Sequence, residues 1–308
     1  MSGLTLTAGL SFSGGFTFTE APVENTAAWF AGGSPGPLST VNRITFATDT
    51  ATASVRGPLS SARLQWAAAG NFTDGWFGGG YGPVSRVDRI TYATDTATAS
   101  VRGPLSLSKN DLAAAGNTTD GWFGGGGNPG PSSTVDRITY ATDTATASVR
   151  GPLSLGRSGL AAAGNTTDGW LGGGYNAGDR STVDRITYAT DTATASVRGP
   201  LSLARRFLAA AGNTTDGWFG GGGYPDSVSR VDRITYATDT ATASVRGPLS
   251  LARRFLAAAG NTTDGWFAVG ELYSIVERIT YATDTAATST RGPLSLAKYS
   301  LGAAAGIQ

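Results

Sequence analysis

The sequence predicts an all-β protein, a six-bladed β-propeller whose blades are four-stranded antiparallel sheets. Three observations support this prediction: a sixfold internal repeat, four strand-like segments within each repeat, and incomplete repeats near the two ends that complement each other. The repeat is marked by the tripeptide Arg-Ile-Thr, whose arginines are Arg43, Arg89, Arg137, Arg185, Arg233 and Arg278, at separations of 46, 48, 48, 48 and 45 residues. Four antiparallel strands repeated at this period are typical of a propeller blade rather than of a solenoid turn.

Each repeat contains four short segments of β-forming residues. In a representative repeat these segments are residues 207–212, 218–222, 231–240 and 241–249. They are rich in β-branched, aromatic or small side chains and are bounded by Gly, Asn, Asp or Pro, which favours strands joined by turns. The first segment ends in Ala-Ala-Ala-Gly. Because only small side chains fit where the blades converge on an axis, we expect it to be the innermost strand.

The incomplete repeats near the two ends predict how the ring closes. Residues 301–306 read Leu-Gly-Ala-Ala-Ala-Gly, a first strand with no Trp-Phe-Gly-Gly after it. Near the start, Trp29 and Phe30 form a second strand with no Ala-Ala-Ala-Gly before it. Pairing these two strands completes one blade and leaves no sheet edge open. The predicted propeller therefore spans residues 23–308.

Residues 1–22 form a separate segment. They alternate apolar and polar residues about a Ser-Gly-Gly turn, which is compatible with a β-hairpin that has one apolar face. A two-stranded hairpin is marginally stable by itself. We therefore expect this segment to dock on another protein.

The residues that recur in every blade are interpreted as structural. One tryptophan per blade in a strand context favours packing between sheets over sugar stacking. These tryptophans are Trp76, Trp122, Trp170, Trp218 and Trp266. The Asp88-Arg89 pair and its copies place acid and base on opposite faces of a strand, which predicts ion pairs between neighbouring blades rather than an ion-binding ring.

The repeat resembles the kelch repeat. It has a short apolar first strand, an aromatic second strand ending in a glycine doublet, and a third strand with Tyr before Asp, as at Trp218 to Gly221, Tyr236 and Asp239. The resemblance covers residues 24 to 308 and implies a propeller. The fourth-strand tryptophan of kelch repeats is missing, and Val245 occupies that region. The kelch-like copper oxidases need histidine ligands, and this chain has no histidine.

Composition excludes several classes of function. The formal net charge of +1 gives no broad positive field for nucleic acid or anionic lipid, so neither is expected as a partner. The absence of cysteine and histidine removes disulfides, thiolate and imidazole chemistry and the usual ligands of zinc, copper and iron. No segment is apolar enough to cross a bilayer and the start does not resemble a signal peptide. We expect no catalytic residue, no metal and no cofactor.

The repeats differ from one another in two windows. The first follows the second-strand glycines, at residues 34–39, 81–86, 128–133, 175–181, 224–230 and 271–274. The second links one blade to the next, at residues 61–66, 108–111, 156–159, 204–207, 252–255 and 297–300. Because strands in a blade alternate in direction, both windows are predicted to lie on one face. The turns Asn-Thr-Thr-Asp-Gly and Thr-Asp-Thr-Ala-Thr lie on the other face and hardly vary.

This variation has two explanations. Loops tolerate drift in general, but the invariant turns are loops too. The variable windows are rich in Tyr, Trp and Arg, which anchor binding interfaces. The candidate ligand-binding residues are Trp66, Tyr81, Lys109, Asp111, Tyr175, Arg205, Arg206, Tyr224, Arg253, Arg254, Tyr273 and Tyr299.

The N-terminal segment and the Gly-, Ser- and Thr-rich propeller are similar to structural proteins of tailed phages, especially marine and cyanobacterial ones. The resemblance implies a non-enzymatic virion or fibre protein, made in the host cytoplasm. Residues 1–22 would attach to other virion proteins, the variable windows would contact a host-surface glycan or protein, and a homo-oligomer on the particle is possible. The alternatives are a glycan-processing propeller enzyme, a cellular kelch-type interaction scaffold and a designed repeat protein. The acids outside repeated positions, Asp111, Asp179, Asp226 and Glu271, lie on separate blades.

Overall fold

The computed structural model describes residues 26–82 and 84–305, and these residues form a six-bladed β-propeller. Each blade is a four-stranded antiparallel sheet, and the innermost strand of each blade contacts its two neighbours around the ring. The predicted fold class is confirmed. The predicted hairpin at residues 1–22 lies outside the described residues.

Small side chains allow the innermost strands to converge on the ring axis. These strands are β4 (Ala67–Gly70), β8 (Asn110–Gly116), β12 (Ala161–Gly164), β16 (Ala209–Gly212), β20 (Ala257–Gly260) and β24 (Gly302–Ala305). Their alanines and glycines line a narrow axial cavity of about 130 Å³. The prediction that Ala-Ala-Ala-Gly forms the inner strand is therefore confirmed. The residues are small because larger side chains at these positions would fill the axis.

The second strands are β1 (Ala27–Ala31), β5 (Asp74–Gly78), β9 (Asp120–Gly127), β13 (Asp168–Gly172), β17 (Asp216–Gly220) and β21 (Asp264–Ala268). The third strands are β2 (Val41–Thr45), β6 (Val87–Thr91), β10 (Val135–Thr139), β14 (Val183–Thr187), β18 (Val231–Thr235) and β22 (Val276–Thr280). In each blade the tryptophan pairs with the repeat arginine, as Trp218 does with Arg233. The middle of each sheet is the most buried part of the blade.

The outer part of each blade differs from the sequence-based bounds. The third strand ends at its threonine, and the next three residues form a 3-10 helix: Phe46–Thr48, Tyr92–Thr94, Tyr140–Thr142, Tyr188–Thr190, Tyr236–Thr238 and Tyr281–Thr283. The fourth strands have only three residues: β3 (Ser54–Arg56), β7 (Ser100–Arg102), β11 (Ser148–Arg150), β15 (Ser196–Arg198), β19 (Ser244–Arg246) and β23 (Ser289–Arg291). The helix turns the chain so that its aromatic residue and the aspartate that follows the helix pack against the preceding blade, as Tyr140 and Asp143 do against Trp76.

Blade one closes the ring as predicted. Strand β24 pairs antiparallel with β1, in a register that places Gly302 opposite Ala31 and Ala305 opposite Ala28. The sheet order is β24-β1-β2-β3, so this blade combines its inner strand from the end of the chain with three strands from the start. Blades two to six each use four consecutive strands, β4–β7 through β20–β23.

A repeated latch joins each blade to the next. The Trp76 indole stacks on Tyr140 of the following blade with ring centroids 3.8 Å apart, and its Nε1 donates a 2.8 Å hydrogen bond to Asp143. Arg89 and Arg102 of the same blade as Trp76 also pair with Asp143, at 3.1 and 3.3 Å. The structural interpretation of the tryptophans and of the repeat arginines is confirmed, since each spans a junction between blades.

The latch also operates where the ring closes. Trp266 of blade six donates to Asp49 of blade one at 2.9 Å, and Arg278 and Arg291 pair with the same carboxylate. Phe46 takes the place of the tyrosine, with its ring centroid 4.0 Å from that of Trp266. The first and last blades are therefore joined by the same contacts as the others.

Candidate binding site on the variable face

The two variable windows meet on one side of the ring, which we call the variable face. Ser158 of the second window and Tyr175 of the first exchange backbone hydrogen bonds of 3.2 and 2.7 Å. Ser34 pairs with Tyr299, and Leu38 with Arg63, in the same way. The predicted placement of both windows on one surface is confirmed by these contacts.

The opposite side carries the turns between strands one and two and between strands three and four, and we call it the constant face. In blade two the Asn71 side-chain oxygen accepts hydrogen bonds from the backbone N–H groups of Thr73 and Asp74, each at 2.9 Å. Asp74 accepts a further bond of 2.5 Å from Thr91. The same bonds recur in the other complete turns, including those at Asn117 and Asn165. These turn residues are therefore required by the fold.

Beneath the variable face lies a ring of buried cations, one in each link between blades: Arg63, Lys109, Arg157, Arg205, Arg253 and Lys298. Arg205 is fully buried and pairs with the equally buried Asp232 at 2.7 Å, and it donates to the Phe219 backbone carbonyl at 2.9 Å. Burial lowers the pKa of Arg205, and Asp232 opposes that shift. These cations hold each link against the variable-face end of the blade that follows it in the chain.

The buried cations correct part of the predicted site. Lys109, Arg205 and Arg253 were expected on the binding surface, but they are at most 2% exposed and pair with Asp136, Asp232 and Glu277. They are structural ion pairs that no ligand reaches. In sequence pairs such as Asp88-Arg89, the acid therefore forms an ion pair with the cation of the link to its own blade. The arginine forms its ion pair with an aspartate of the next blade. One signal identifies these cations: each follows the arginine of Arg-Ile-Thr by 20 residues, as Arg63 follows Arg43 (63 − 43 = 20).

Blade one is the exception in the cation ring. Lys298 is fully buried, but Asn42 stands where the other blades have an acid. Its ammonium group donates a hydrogen bond to the Thr40 backbone carbonyl, at 3.5 Å. Burial lowers the pKa of Lys298 to about 8. Among the described residues, this is the one member of the ring for which no ion pair is found.

The prediction that Trp66 lies on the binding surface is also wrong. It is only 4% exposed, and the Arg63 guanidinium lies 4.6 Å from its ring centroid. The equivalent positions in the other blades are buried leucines: Leu112, Leu160, Leu208, Leu256 and Leu301. Trp66 therefore fills the core between blades, and its place at the edge of a variable window concealed this.

Six residues form a closed ring of backbone hydrogen bonds at the axis: Gln65, Asp111, Gly159, Phe207, Phe255 and Ser300. The N–H of each donates to the carbonyl of the preceding one, at 2.7 to 3.0 Å, and the N–H of Gln65 donates to Ser300 at 2.9 Å. All six have positive φ, between 51° and 65°. This conformation is costly for residues such as Phe207, and the hydrogen-bonded ring stabilises it. The fold fixes the backbone here while the side chains vary.

The axial ring has a polar half and an aromatic half. On the polar side, Gln65 donates to Asp111 at 3.3 Å and accepts from Asn110 at 3.4 Å. Burial raises the pKa of Asp111 to about 7, and the nearby charge of Arg206 opposes that shift. On the aromatic side, the ring centroids of Phe207 and Phe255 lie 4.1 Å apart. The predicted residue Tyr299 extends this side, at 5.9 Å from Phe255.

Four of the predicted residues form one cluster on blades four to six. The Arg206 guanidinium lies 4.3 Å from the ring centroids of both Tyr175 and Tyr224, and Arg254 lies 5.0 Å from Tyr224. Asp179 pairs with Arg206 at 3.5 Å, and Glu271 pairs with Arg254 at 3.2 Å. We call Tyr175, Arg206, Tyr224 and Arg254 the Tyr-Arg cluster. It is a preordered aromatic and cationic surface whose charges are already compensated.

A groove crosses blades two to four beside this cluster. It has a volume of about 470 Å³, and it is lined by Tyr81, Asn110, Asp111, Asn128, Pro129, Pro131, Ser158 and Tyr175, with glycines between them. Tyr81 is 65% exposed. We call this feature the Tyr81 groove. Asn110, Asn128 and Ser158 lie within the variable windows but were not singled out from sequence. The remaining candidate, Tyr273, is 40% exposed and is not among the residues that line the groove.

No protein-family model and no curated protein sequence matches this chain. In the part of the chain that the structure describes, no three acidic, histidine or cysteine side chains are grouped so as to hold a metal ion. The described residues also contain no helix with the length and apolar character needed to cross a membrane.

Proposed function

We propose that this chain is a non-enzymatic binding protein of a tailed-phage virion, whose variable face contacts a glycan or protein on the host surface. The observation that carries the proposal is the Tyr-Arg cluster, which gathers aromatic and guanidinium groups on the face that differs between blades, with Tyr224 exposed and the two arginines partly buried. Tyr and Arg are the residue types that dominate binding energy at interfaces. The attachment of residues 1–22 to the particle is part of the same proposal and rests on their resemblance to phage structural proteins.

The positions of the carboxylates favour binding over catalysis. Glycoside hydrolysis ordinarily needs two carboxyl groups that flank one bond. Asp179 and Glu271 are each engaged by an arginine of the Tyr-Arg cluster. Among the described residues that line the Tyr81 groove, Asp111 is the only acid.

The proposal is tested by adhesion of the labelled full-length protein to a panel of marine cyanobacterial and other bacterial cells. The variants Arg206→Ala and Arg254→Ala should each reduce adhesion about tenfold or more, because each removes a guanidinium from the face. The control is Phe72→Thr, which removes an aromatic residue from the constant face and installs the residue that blades three to six have, as at Thr118.

Thermal unfolding of each variant establishes that the ring is intact. Adhesion that is lost in Phe72→Thr but unaffected by both arginine variants would contradict the assignment of the binding face. The virion proposal has its own test, deletion of residues 2–22, which should abolish incorporation into particles while cell adhesion of the free protein persists.

A further inference from the structure

The Tyr81 groove contains the chemistry of a small-ligand site. Its volume of about 470 Å³ lies within the range of roughly 300–1,000 Å³ that is usual for such sites. It lies at the meeting point of three blades, so its walls are anchored by backbone bonds such as those between Ser158 and Tyr175. The groove is therefore largely preformed by the fold.

The side chains in the groove favour a polyhydroxylated ligand. Tyr81 and Tyr175 offer aromatic surface, while Asn110, Asn128 and Ser158 offer donors and acceptors that suit hydroxyl groups. Several glycines line the groove between them, so backbone polar groups are also within reach. A deep apolar pocket of the kind that anchors a protein partner is not what these residues form.

The charge of the groove favours a neutral ligand. No lysine or arginine is among its described lining residues, and Asp111 is the one ionisable acid there. The neighbouring Arg206 stacks on Tyr175 and is paired with Asp179, so its charge is already compensated. An anionic ligand would find no free cation in the groove and would be repelled by an ionised Asp111.

From these observations we infer that the Tyr81 groove binds a neutral oligosaccharide, with one sugar ring stacked on Tyr81 and hydroxyl groups bonded to Asn110, Asp111 and Ser158. This inference rests on the proposed function and specifies its ligand class. Arg206 acts as a positioning residue, because its guanidinium covers one face of Tyr175 and fixes the ring at the edge of the groove.

Asp111 makes the site sensitive to pH near neutrality. Because burial raises its pKa to about 7, the group is a neutral donor and acceptor below that pH and a carboxylate acceptor above it. Covering Asp111 with a neutral sugar removes more water from it and so favours the uncharged form. We therefore expect tighter binding at pH 6 than at pH 8, and Asp111→Asn should abolish this difference.

The experiment uses the full-length protein on an array of neutral oligosaccharides of glucose, galactose, mannose and N-acetylglucosamine, with sialylated and uronic-acid oligosaccharides for comparison. Affinity for the best neutral ligand is then measured by calorimetry. Tyr81→Ala should weaken binding about tenfold, which corresponds to a loss of about 1.4 kcal/mol for the aromatic contact. Tyr273→Ala is the matched control, because Tyr273 is an exposed tyrosine of the same face that neither lines the groove nor belongs to the Tyr-Arg cluster.

The outcomes separate this inference from the proposed function. Binding of acidic oligosaccharides alone, binding that Tyr81→Ala leaves unchanged, or adhesion to cells through a surface protein with no neutral sugar bound would each overturn the inference while the variable face remains the binding face. Adhesion that no variable-face substitution reduces would overturn both. Tyr81 is 65% exposed, so its replacement is not expected to disturb folding.

Discussion

The two faces of the ring use their residues differently. On the constant face, Asn71 and Asp74 accept hydrogen bonds from within the turn. Asp95 accepts a hydrogen bond from the Trp29 indole and forms ion pairs with two arginines of the preceding blade. On the variable face, the fold depends on a buried cation, a buried leucine or tryptophan and a ring of backbone bonds. The exposed side chains between these positions form no stabilising contact that recurs in every blade. Blades therefore differ where the fold leaves the side chain free.

Each link between blades shows this division within four residues. In blade five, Arg205 is buried in an ion pair, Arg206 belongs to the Tyr-Arg cluster, Phe207 belongs to the axial ring, and Leu208 is buried in the core. The outer two positions are constant in type across the six links, and the inner two vary. Two adjacent arginines thus have different roles, one in stability and one at the surface.

The largest expected difference between the faces concerns two aspartates. Asp143→Ala removes the acceptor of Trp76 and of two arginines, and should lower the free energy of unfolding by about 3 kcal/mol. Asp226→Ala on the variable face removes an exposed side chain and should change it by less than about 0.5 kcal/mol. Denaturant titration of both variants measures the difference, and equal effects would refute the contrast between the faces.

A smaller effect is expected from repairing the cation ring. Asn42→Asp supplies the acid that Lys298 lacks, and should stabilise the protein by about 1–2 kcal/mol at pH 7. Asp232→Asn is the reciprocal control, since it leaves Arg205 in the position that Lys298 occupies now, and it should destabilise the protein.

The pH dependence sharpens this test. The pKa of Lys298 falls from 10.5 to about 8 on folding, so between these values the folded protein binds fewer protons than the unfolded chain. Stability conferred by this group therefore rises as the pH rises from 8 to 10.5. Asn42→Asp should remove that rise, and an unchanged profile would mean that Lys298 is not the group responsible.

The smallest expected effect concerns Asp111 on the variable face. Its pKa rises from 3.8 to about 7 on folding, so the folded protein binds more protons in this range, and stability is lost as the pH rises from 3.8 to 7. Asp111→Asn should therefore be neutral near pH 4 and stabilising by about 1 kcal/mol at pH 8, since the groove leaves the group partly hydrated. Thermal unfolding at the two pH values measures this, and greater stabilisation at pH 4 would contradict the sign.

Much of the fold follows from local pattern. The four segments of each repeat, the inner position of the alanines and the pairing of β24 with β1 were all predictable, because repetition shows which segments are equivalent. The 3-10 helix after each third strand was not predictable, since Tyr-Ala-Thr is compatible with a strand. Its conformation is decided by the stacking of residues such as Tyr140 on the tryptophan of another blade.

The candidate site was predictable as a face but not as a set of contacts. Sequence placed both variable windows on one side and identified the four residues of the Tyr-Arg cluster. It also placed Arg205 on the binding surface beside Arg206, although the constant spacing of 20 residues from Arg185 distinguishes Arg205 as a member of the cation ring. The two side chains point in opposite directions from the link. Arg205 points into the protein and pairs with Asp232, whereas Arg206 lies over the rings of Tyr175 and Tyr224.

By itself, the sequence determined the all-β class, the number of blades, the closing strand pair and the face on which blades differ, because each of these follows from periodicity and from which repeats are incomplete. Only the tertiary structure decided which cations are buried, which positive-φ residues form the axial ring and which side chains line the Tyr81 groove. These properties depend on contacts between residues tens of positions apart, and such contacts exist only once neighbouring blades pack against one another.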